Sequence, residues 1–367
     1  MPQPATHYLV VRRSIPEMFW EEWWNDTYKK YFGLGSLTPD LFYFPAMPKK
    51  IIGDVRTDLS WDNIASPLHS ERSYDMFCSL LDISKRAKLN ATSEEERVDA
   101  NKQLAFSFGY YTHVVTDCIF HPYVYRSTGD YWHTKNSLTE AEHKKQELYI
   151  DNELYTKYYP KEENLSRISY RCESGEGLLE AIIAYLFDEG LHKNYPDLYP
   201  VDDTTTCADS SHPIQQAYLA LVRTIPPLFE GKKVYLWSSR KSLNIKLSSL
   251  VSLFSKDFFT SEYPKVSNLP KHTPEDLFDF AVVECAKIFK CVLDFWNSES
   301  ADSKTFFTSN CTNFLNAGNF NLDTGLPSKF NNYADLRKDN SKNYRFGADI
   351  LTNNYAVFQN DLEENGD

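Results

Sequence analysis

Apolar residues recur three or four positions apart through most of the chain, a spacing that places them on one face of an α-helix. Runs of alternating apolar and polar residues, which would predict strands, are scarce. Glycine and proline punctuate residues 33–67, so this segment is predicted to be mostly a long loop. The pattern predicts an all-α fold without an internal repeat. Helices are predicted at residues 17–31, 70–87, 94–120, 139–155, 176–188, 213–225 and 274–296.

Capping signals mark the starts of two of these predicted helices. Thr92 and Ser93 precede three glutamates, whose charge is favourable at the positive end of a helix dipole. Thr139 and Glu142 form a capping-box pattern at the start of another helix. The helix that follows Ser93 keeps an apolar period to about Phe120, so its second half is expected to be buried.

The composition changes after about residue 230. Residues 231–367 are richer in Ser, Lys and Asn and poor in His, which predicts one domain at 1–230 and a mainly helical C-terminal extension at 231–367. Within the extension, SSRKSLNIKLSSLVSLF is a candidate for contact with an apolar surface, although core packing is the favoured interpretation of this segment.

Bulk composition narrows the class of protein. The chain has 367 residues, is 42% hydrophobic and 15% aromatic, and is therefore expected to fold around a sizeable core. Its net charge of −12 disfavours nonspecific binding to nucleic acid. The seven cysteines lack a CxxC pair, so neither a disulfide framework nor a thiolate zinc site is indicated. No transmembrane run or secretory signal is recognisable, and the site of action stays open between the cytoplasm and export by another route.

The segment GYYTHVVTDCIFHP carries three metal-capable side chains within a nearly apolar run. His113, Asp117 and His121 are four residues apart, so they share one face of the predicted helix within roughly 80°. A second helix carries His143 and Glu147 at the same spacing. Zinc at catalytic sites prefers imidazole and carboxylate ligands, and pairs at i, i+4 can bind one ion.

Each of these pairs has an ordinary structural interpretation. A single His/Asp pair on a helix is more often a hydrogen-bonded core pair, and HxxxE alone is commonly a solvated contact. The two motifs together, with Asp117 in an apolar run, favour a multinuclear metal site because a buried charge needs a counter-charge. By contrast, His192, His212 and His272 have no partner at ligand spacing and are predicted to be structural or exposed, and His133 is predicted to lie in a loop.

An ordered series of motifs over about residues 5–155 resembles the zinc-dependent phospholipase C family, which is related to the S1/P1 nucleases. The series has a TH pair near the N-terminus, a glycine-bearing segment that ends in PD, an isolated histidine, a GxxxHxxxD helix with a further histidine, and an HxxxE helix. The matching residues are His7, Asp40, His69, Gly109, His113, Asp117, His121, His143 and Glu147.

The resemblance implies a compact all-α fold and about three zinc ions. By position, Asp40, His69, His113 and Asp117 would bind one ion, and His121, His143 and Glu147 a second. The third would be bound by His7, the shared Asp117 and a main-chain N-terminus, for which Pro2 is available if Met1 is removed. The long segment between Asp40 and His69 leaves Asp54 and Asp58 as alternatives to Asp40.

The resemblance also implies that the domain at 1–230 is catalytic and hydrolyses a phosphodiester by metal-activated water. Asp40 is the best candidate for the general base, since a carboxylate beside zinc can take the water proton. Phospholipid at a membrane or micelle surface is the expected substrate, because the final HxxxE motif resembles the phospholipase branch. The excess of acidic over basic residues also disfavours a basic groove that could bind nucleic acid. A single-strand nuclease and a non-catalytic zinc-containing lipid- or partner-binding protein remain the alternatives.

Overall fold

Helices make up nearly all of the regular structure in a computed structural model, which describes residues 4–46, 62–128, 137–158, 170–199, 206–225, 273–311, 318–322 and 325–327. The helices are α1 (Pro4–Ser14), α2 (Trp20–Trp23), α3 (Lys29–Gly35), α4 (Asp62–Ser70), α5 (Ser73–Asn90), α6 (Glu94–Thr128), α7 (Ser137–Tyr158), α8 (Ala181–Asn194), α9 (213–225), α10 (Pro274–Asn297) and α11 (Ser303–Asn310). Glu17–Phe19 and Thr38–Ala46 are 3-10 helices. The two-residue strands β1 (Phe320–Asn321) and β2 (Leu326–Pro327) pair antiparallel. The all-α prediction is confirmed.

Helix α6 is the central element of the core. Every residue from 103 to 124 is buried, because α1, α3, α5, α7, α8 and α10 all pack against this helix. A helix that is apolar on all faces is stable only when it is enclosed in this way. The burial that the apolar run predicted for the second half of this helix is confirmed, and the metal-capable residues on it lie in the interior.

Two glycines allow α3 and α6 to approach each other closely. A Cβ atom on Gly109 would lie 2.3 Å from the carbonyl oxygen of Phe32, and one on Gly35 would lie 2.1 Å from that of Phe106. Both distances are far inside van der Waals contact, so neither position accepts a larger residue without separating the helices. Gly109 is one turn before His113 on α6, and this contact therefore sets the position of the α3 C-terminus beside the histidine.

We expect Gly109→Ala to lower the free energy of unfolding by roughly 1–3 kcal/mol or more, the usual cost of overpacking a core. The new methyl group would meet backbone on α3, which cannot rotate away as a side chain can. Urea unfolding followed by circular dichroism measures the change. Gly175→Ala is the matched control, because a Cβ atom there has no neighbour within 4 Å. Equal stability of the two variants would contradict the proposed close contact.

The predicted boundaries of helices and loops are wrong mainly in the first 70 residues. The predicted helix at 17–31 is interrupted because the side chain of Asn25 bonds four backbone groups, accepting from the amides of Thr27 and Tyr28 and donating to the carbonyls of Glu21 and Glu22. Such bonds compete with helix formation. The predicted loop at 33–67 is wrong where described, since it contains part of α3, a 3-10 helix and most of α4. Helix α1 was not predicted, and α8 begins at Ala181 rather than near residue 176.

Part of the predicted extension packs against the N-terminal helices. Helix α10 contacts α1, α6 and α7 and contributes side chains such as Phe289 and Trp296 to the common core. Its first turn is closed by a capping box between Thr273 and Asp276, and Lys85 on α5 donates to carbonyls at its C-terminal end, including that of Trp296. The division near residue 230 stays a prediction, and the SSRKSLNIKLSSLVSLF segment lies outside the described residues. Among the described helices, none is long and apolar enough to cross a membrane.

Candidate metal centre

Three of the histidines are held in one orientation by backbone carbonyls. In each ring, Nδ1–H donates to a carbonyl oxygen, so Nε2 is left as the nitrogen that carries the lone pair. Metal-binding histidines are commonly oriented in this manner, which fixes both the tautomer and the ring plane. The acceptors are Ala65 for His69 at 3.0 Å, Ser36 for His113 at 2.8 Å, and Leu322 for His121.

The first group of side chains gathers around the middle of α6. Nε2 of His69 lies 2.8 Å from Oδ1 of Asp40, and Nε2 of His113 lies 3.1 Å from Oδ2 of Asp117 and 3.9 Å from Oδ1 of Asp40. His7 on α1 stacks on His113 with ring centroids 3.8 Å apart, and its Nε2 lies 3.4 Å from Oδ1 of Asp117. These five residues come from four different elements, and all are buried.

The second group lies between α6 and α7. Oε1 of Glu147 is 2.8 Å from Nε2 of His143 and 3.4 Å from Nε2 of His121. All three side chains are buried. The charge of Asp117 acts on both His121 and His143, so this group is an electrostatic neighbour of the first. The two groups therefore form one centre, which we call the metal centre, with Asp117 at the junction.

Several polar atoms of the metal centre are buried without a hydrogen bond. They are both ring nitrogens of His7, Nε2 of His113 and both carboxylate oxygens of Asp117. Leaving one such group unsatisfied costs about 1–3 kcal/mol, so a cluster of them needs a compensating interaction. Facing imidazole nitrogens and carboxylate oxygens cannot all satisfy one another with the few available protons, whereas a cation satisfies them together. The donor set fits zinc.

Three histidines of the centre favour their neutral form. Burial lowers the pKa of His7, and it holds the pKa of His121 well below the ordinary value. Burial also lowers the pKa of His143. A neutral imidazole is the form that binds a metal ion, because protonation occupies the lone pair. The metal centre therefore presents imidazole ligands that need not lose a proton near neutral pH.

The aspartates of the centre favour their ionised form. Burial by itself would raise the pKa of Asp117, but the nearby His113 and His121 hold it well below its ordinary value. The pKa of Asp40 is lowered in the same way, against the effect of burial, by His113 and His69. Ionised carboxylates bring negative charge to the centre, which attracts divalent cations.

The structure brings together all eight residues that the sequence suggests as ligands. Their role in binding zinc stays a prediction, which the geometry supports. The alternatives Asp54 and Asp58, the candidate amine of Pro2, and His133 lie outside the described residues. Sequence reasoning missed the orienting carbonyls of Ser36 and Leu322. The eight residues are His7, Asp40, His69, His113, Asp117, His121, His143 and Glu147.

Asp151 on α7 is a further buried carboxylate beside the centre. Its Oδ1 accepts from the backbone amide of Thr6 at 2.6 Å and from the hydroxyl of Thr6 at 2.8 Å. These bonds fix the first turn of α1, where the amides lack partners within the helix. Because His7 follows Thr6, Asp151 positions the histidine against α6. The TH pair of the sequence thus contributes a tether as well as a candidate ligand.

A segment near the C-terminal end of the described chain closes one side of the centre. The carbonyl of Leu322 orients His121, and the amide of Leu322 donates to the carbonyl of His69. Gly325, at a φ of +71°, lies against α6, where a Cβ atom would be 2.7 Å from Cδ of Pro122. Asn319 anchors the segment, because its Oδ1 accepts from two amides in the first turn of α5.

We expect Asn319→Ala to weaken zinc binding about tenfold, the lower end of the range for residues that orient ligands indirectly. Loss of the cap on α5 should also cost about 1 kcal/mol of stability. Competition with a chromophoric chelator measures the zinc affinity. Asn310→Ala is the control, because the Asn310 side chain is exposed and bonds a carbonyl of its own helix. An unchanged zinc affinity in Asn319→Ala would show that the segment does not position His121.

A buried set of imidazoles and ionised carboxylates at the centre of an all-α domain suits a metal-dependent hydrolase. A comparison with protein families gives the same class: the family model for zinc-dependent phospholipase C matches residues 6–221. The match covers more than half of the chain, so the chain belongs to this family. Comparisons with curated proteins and with solved structures yielded no match. The protein is therefore an enzyme that hydrolyses phosphodiesters, from a family that depends on zinc and acts on phospholipids.

Proposed function

We propose that this protein is a phospholipase C that releases a phosphorylated headgroup and diacylglycerol from phosphatidylcholine or a similar phospholipid. The observation that carries the proposal is the family match over residues 6–221, the span that contains all eight residues of the metal centre. Phospholipid at a membrane or micelle surface would be the substrate.

The proposal includes three zinc ions at the metal centre. Asp40, His69, His113 and Asp117 would bind one, and His121, His143 and Glu147 a second. His7 and the shared Asp117 would bind the third, together with a main-chain N-terminus. The grouping is supported by the distances, since the ligand atoms of His69, His113 and Asp117 lie within 4.8 Å of one another, as do those of His121, His143 and Glu147.

Zinc, when bound, lowers the pKa of water toward about 7 and offsets negative charge on phosphoryl oxygens. The side chains then have separate tasks. Asp40 is the proposed general base: at 6% relative exposure it is the least buried carboxylate of the centre, and its lowered pKa keeps it ionised and able to accept a proton. The carbonyls that orient His69, His113 and His121 hold those rings in place, so little reorganisation is needed during the reaction.

Two features favour lipid over nucleic acid as the substrate. The net charge of −12 repels polyanions at low ionic strength, which weakens binding of single-stranded DNA or RNA. The last ligand is Glu147, which resembles the phospholipase branch, whereas the related nucleases usually end the motif with aspartate. A nuclease is the second candidate, because aromatic side chains can stack on bases and 15% of the chain is aromatic.

A comparison of substrates on the zinc-loaded protein tests the proposal. We expect release of phosphocholine and diacylglycerol from mixed micelles of phosphatidylcholine, with single-stranded DNA and RNA left intact. Thin-layer chromatography of the lipid and gel electrophoresis of the nucleic acids provide the two readouts. The Asp117→Asn variant serves as the control for contaminating hydrolases, because it should lose every activity that depends on the metal centre.

Rapid nuclease activity that disappears in Asp117→Asn, without lipid turnover, would reassign the protein to the nuclease branch. Phosphatidic acid as the lipid product would show cleavage on the other side of the phosphorus. If neither lipid nor nucleic acid is hydrolysed by a protein that retains zinc, the third alternative, a non-catalytic binding protein, replaces the enzyme.

A further inference from the structure

A second set of metal-capable side chains lies outside the metal centre. Asp188 is on α8, and Cys207 and His212 lie in the segment before the helix at 213–225. One ligand atom from each of the three lies within 4.8 Å of the other two. The spacing in sequence gives no hint of this cluster, because its carboxylate comes from a separate helix and Cys207 and His212 are five residues apart.

Burial and hydrogen bonding single out His212 within the cluster. The His212 ring is fully buried, and its Nε2 makes no hydrogen bond although Oδ1 of Asp188 lies 3.3 Å away. On the other side of the ring, Nδ1 receives a long contact of 3.4 Å from the amide of Ile214. The sequence-based interpretation allowed His212 to be exposed, and that alternative is wrong. A buried nitrogen aimed at a carboxylate without a hydrogen bond calls for a further partner.

Asp188 is held in a position suited to share a cation. Its Oδ1 accepts from the hydroxyl of Tyr199 at 2.9 Å, while Oδ2 lies 3.4 Å from Nδ1 of His192. The prediction that His192 has no partner at ligand spacing is therefore wrong, since Asp188 lies four residues before it on α8. Burial would raise the pKa of Asp188, but the contacts from His212 and Tyr199 lower it, so the carboxylate is ionised near neutral pH. His192, which faces the other carboxylate oxygen of Asp188, is partly exposed.

We propose that Asp188, Cys207 and His212 form a binding site for one zinc-class divalent cation, separate from the metal centre. Carboxylate, thiolate and imidazole are all zinc ligands, with bond lengths of about 2.0–2.3 Å, which place ligand atoms about 3.3–3.6 Å apart in a tetrahedron. The observed separations of up to 4.8 Å therefore close with small side-chain rotations. Three protein ligands leave the fourth position for water, and Cys207 is only half-buried.

Cation binding at this site has a defined proton balance. The Cys207 thiol loses its proton to solvent when sulfur becomes a ligand, since the coordinated form is the thiolate. The neutral His212 ring shifts its proton from Nε2 to Nδ1, so the lone pair of Nε2 faces the ion. The shift gives up the 3.3 Å contact of Nε2 with Asp188, which the ion replaces, and the long contact from the amide of Ile214. One proton is released per cation, and no electron is transferred. The bound ion would tie the segment at 206–212 to α8.

Cobalt(II) titration of the metal-stripped, full-length protein tests the site. Thiolate bound to cobalt(II) absorbs in the near ultraviolet by charge transfer, whereas the eight residues of the metal centre offer only nitrogen and oxygen. We expect this band to grow to the intensity of one thiolate per chain and to vanish in Cys207→Ser. It should persist in Cys291→Ser, the matched control, because Cys291 is also half-buried and lies outside the cluster. His212→Ala should weaken cobalt binding at least tenfold by the same band.

The result does not depend on hydrolysis, so it stands apart from the proposed phospholipase activity. Absence of the band at saturating cobalt in the folded wild-type protein would overturn the proposal. A band that survives in Cys207→Ser would also overturn it, since another thiol would then be the ligand. If Cys207→Ser fails to fold, protection of Cys207 from iodoacetamide by added zinc, read by mass spectrometry of the wild-type protein against Cys291, decides the matter: equal labelling with and without zinc excludes the site.

Discussion

Replacement of Asp117 by asparagine is expected to abolish phosphodiester hydrolysis, with kcat/KM reduced roughly a thousandfold or more. Asp117 is fully buried, faces His7 and His113, and acts electrostatically on His121. The substitution removes a negative charge at the junction of the two ligand groups while it preserves the shape of the side chain. Loss of several kcal/mol of metal-derived stabilisation of the transition state corresponds to a reduction of this size.

Asp99→Asn is the matched control for this variant. Asp99 lies on the same helix, α6, but near its start, where it pairs with Lys102 at 2.7 Å. Such a pair near the surface contributes about 0–1 kcal/mol, so Asp99→Asn should retain activity. Zinc content and circular dichroism of both variants separate loss of metal from loss of fold. A folded Asp117→Asn protein with full activity would show that the shared carboxylate has been misassigned.

The part of the site that lies on single helices could be predicted from spacing alone. His113, Asp117 and His121 share a face because the helix repeats every 3.6 residues, and the same rule pairs His143 with Glu147. The long apolar run around them predicted burial, since only a helix packed on all sides tolerates it. These positions needed no tertiary information.

The proposed ligands on other elements could be found only through the resemblance to the family. His7, Asp40 and His69 lie on α1, a 3-10 helix and α4, and no periodicity relates them to α6. Their convergence depends on tertiary packing, such as the close contact of Gly35 and Gly109 that brings the end of α3 beside His113. The sequence marked Gly109 only as part of a motif, and its steric role emerges from the packing.

Backbone partners of the centre could not be found from residue types at all. The carbonyls of Ser36 and Leu322 orient two histidines, yet every residue has a carbonyl, so the side chains carry no signal. Leu322 also falls outside the span of the family match, which ends at residue 221. A segment distant in sequence thus completes the environment of residues that the motif identifies.

The cluster of Asp188, Cys207 and His212 is another set of contacts that the sequence does not predict. His212 lacks a partner at ligand spacing, which led to its interpretation as structural or exposed. Its neighbours come from α8 and from a segment that no regular period relates to it. Spacing in sequence can reveal ligand pairs within one helix, but it does not reveal pairs that form only when two elements pack together.

Removal of zinc is expected to abolish activity and to lower Tm by roughly 10 °C or more. Without the ions, Asp40, Asp117 and Glu147 remain buried near one another, and the orphaned nitrogens of His7 and His113 regain no partner. Each ion present at about a thousandfold excess over its Kd contributes roughly 4 kcal/mol to stability, so even one lost ion shifts Tm measurably.

Differential scanning fluorimetry with and without a chelator measures the loss of stability, and elemental analysis counts the ions. The ions should be counted in the Cys207→Ser variant, because this variant leaves the metal centre intact and removes the sulfur ligand proposed for the site at Asp188, Cys207 and His212. About three zinc ions per chain are expected. Readdition of zinc should restore both activity and Tm, which separates metal loss from irreversible unfolding. Protein that is purified with ample zinc yet contains no bound metal would contradict the hypothesis of a metal centre. The buried charge of Asp117 would then have to be stabilised by the protein alone.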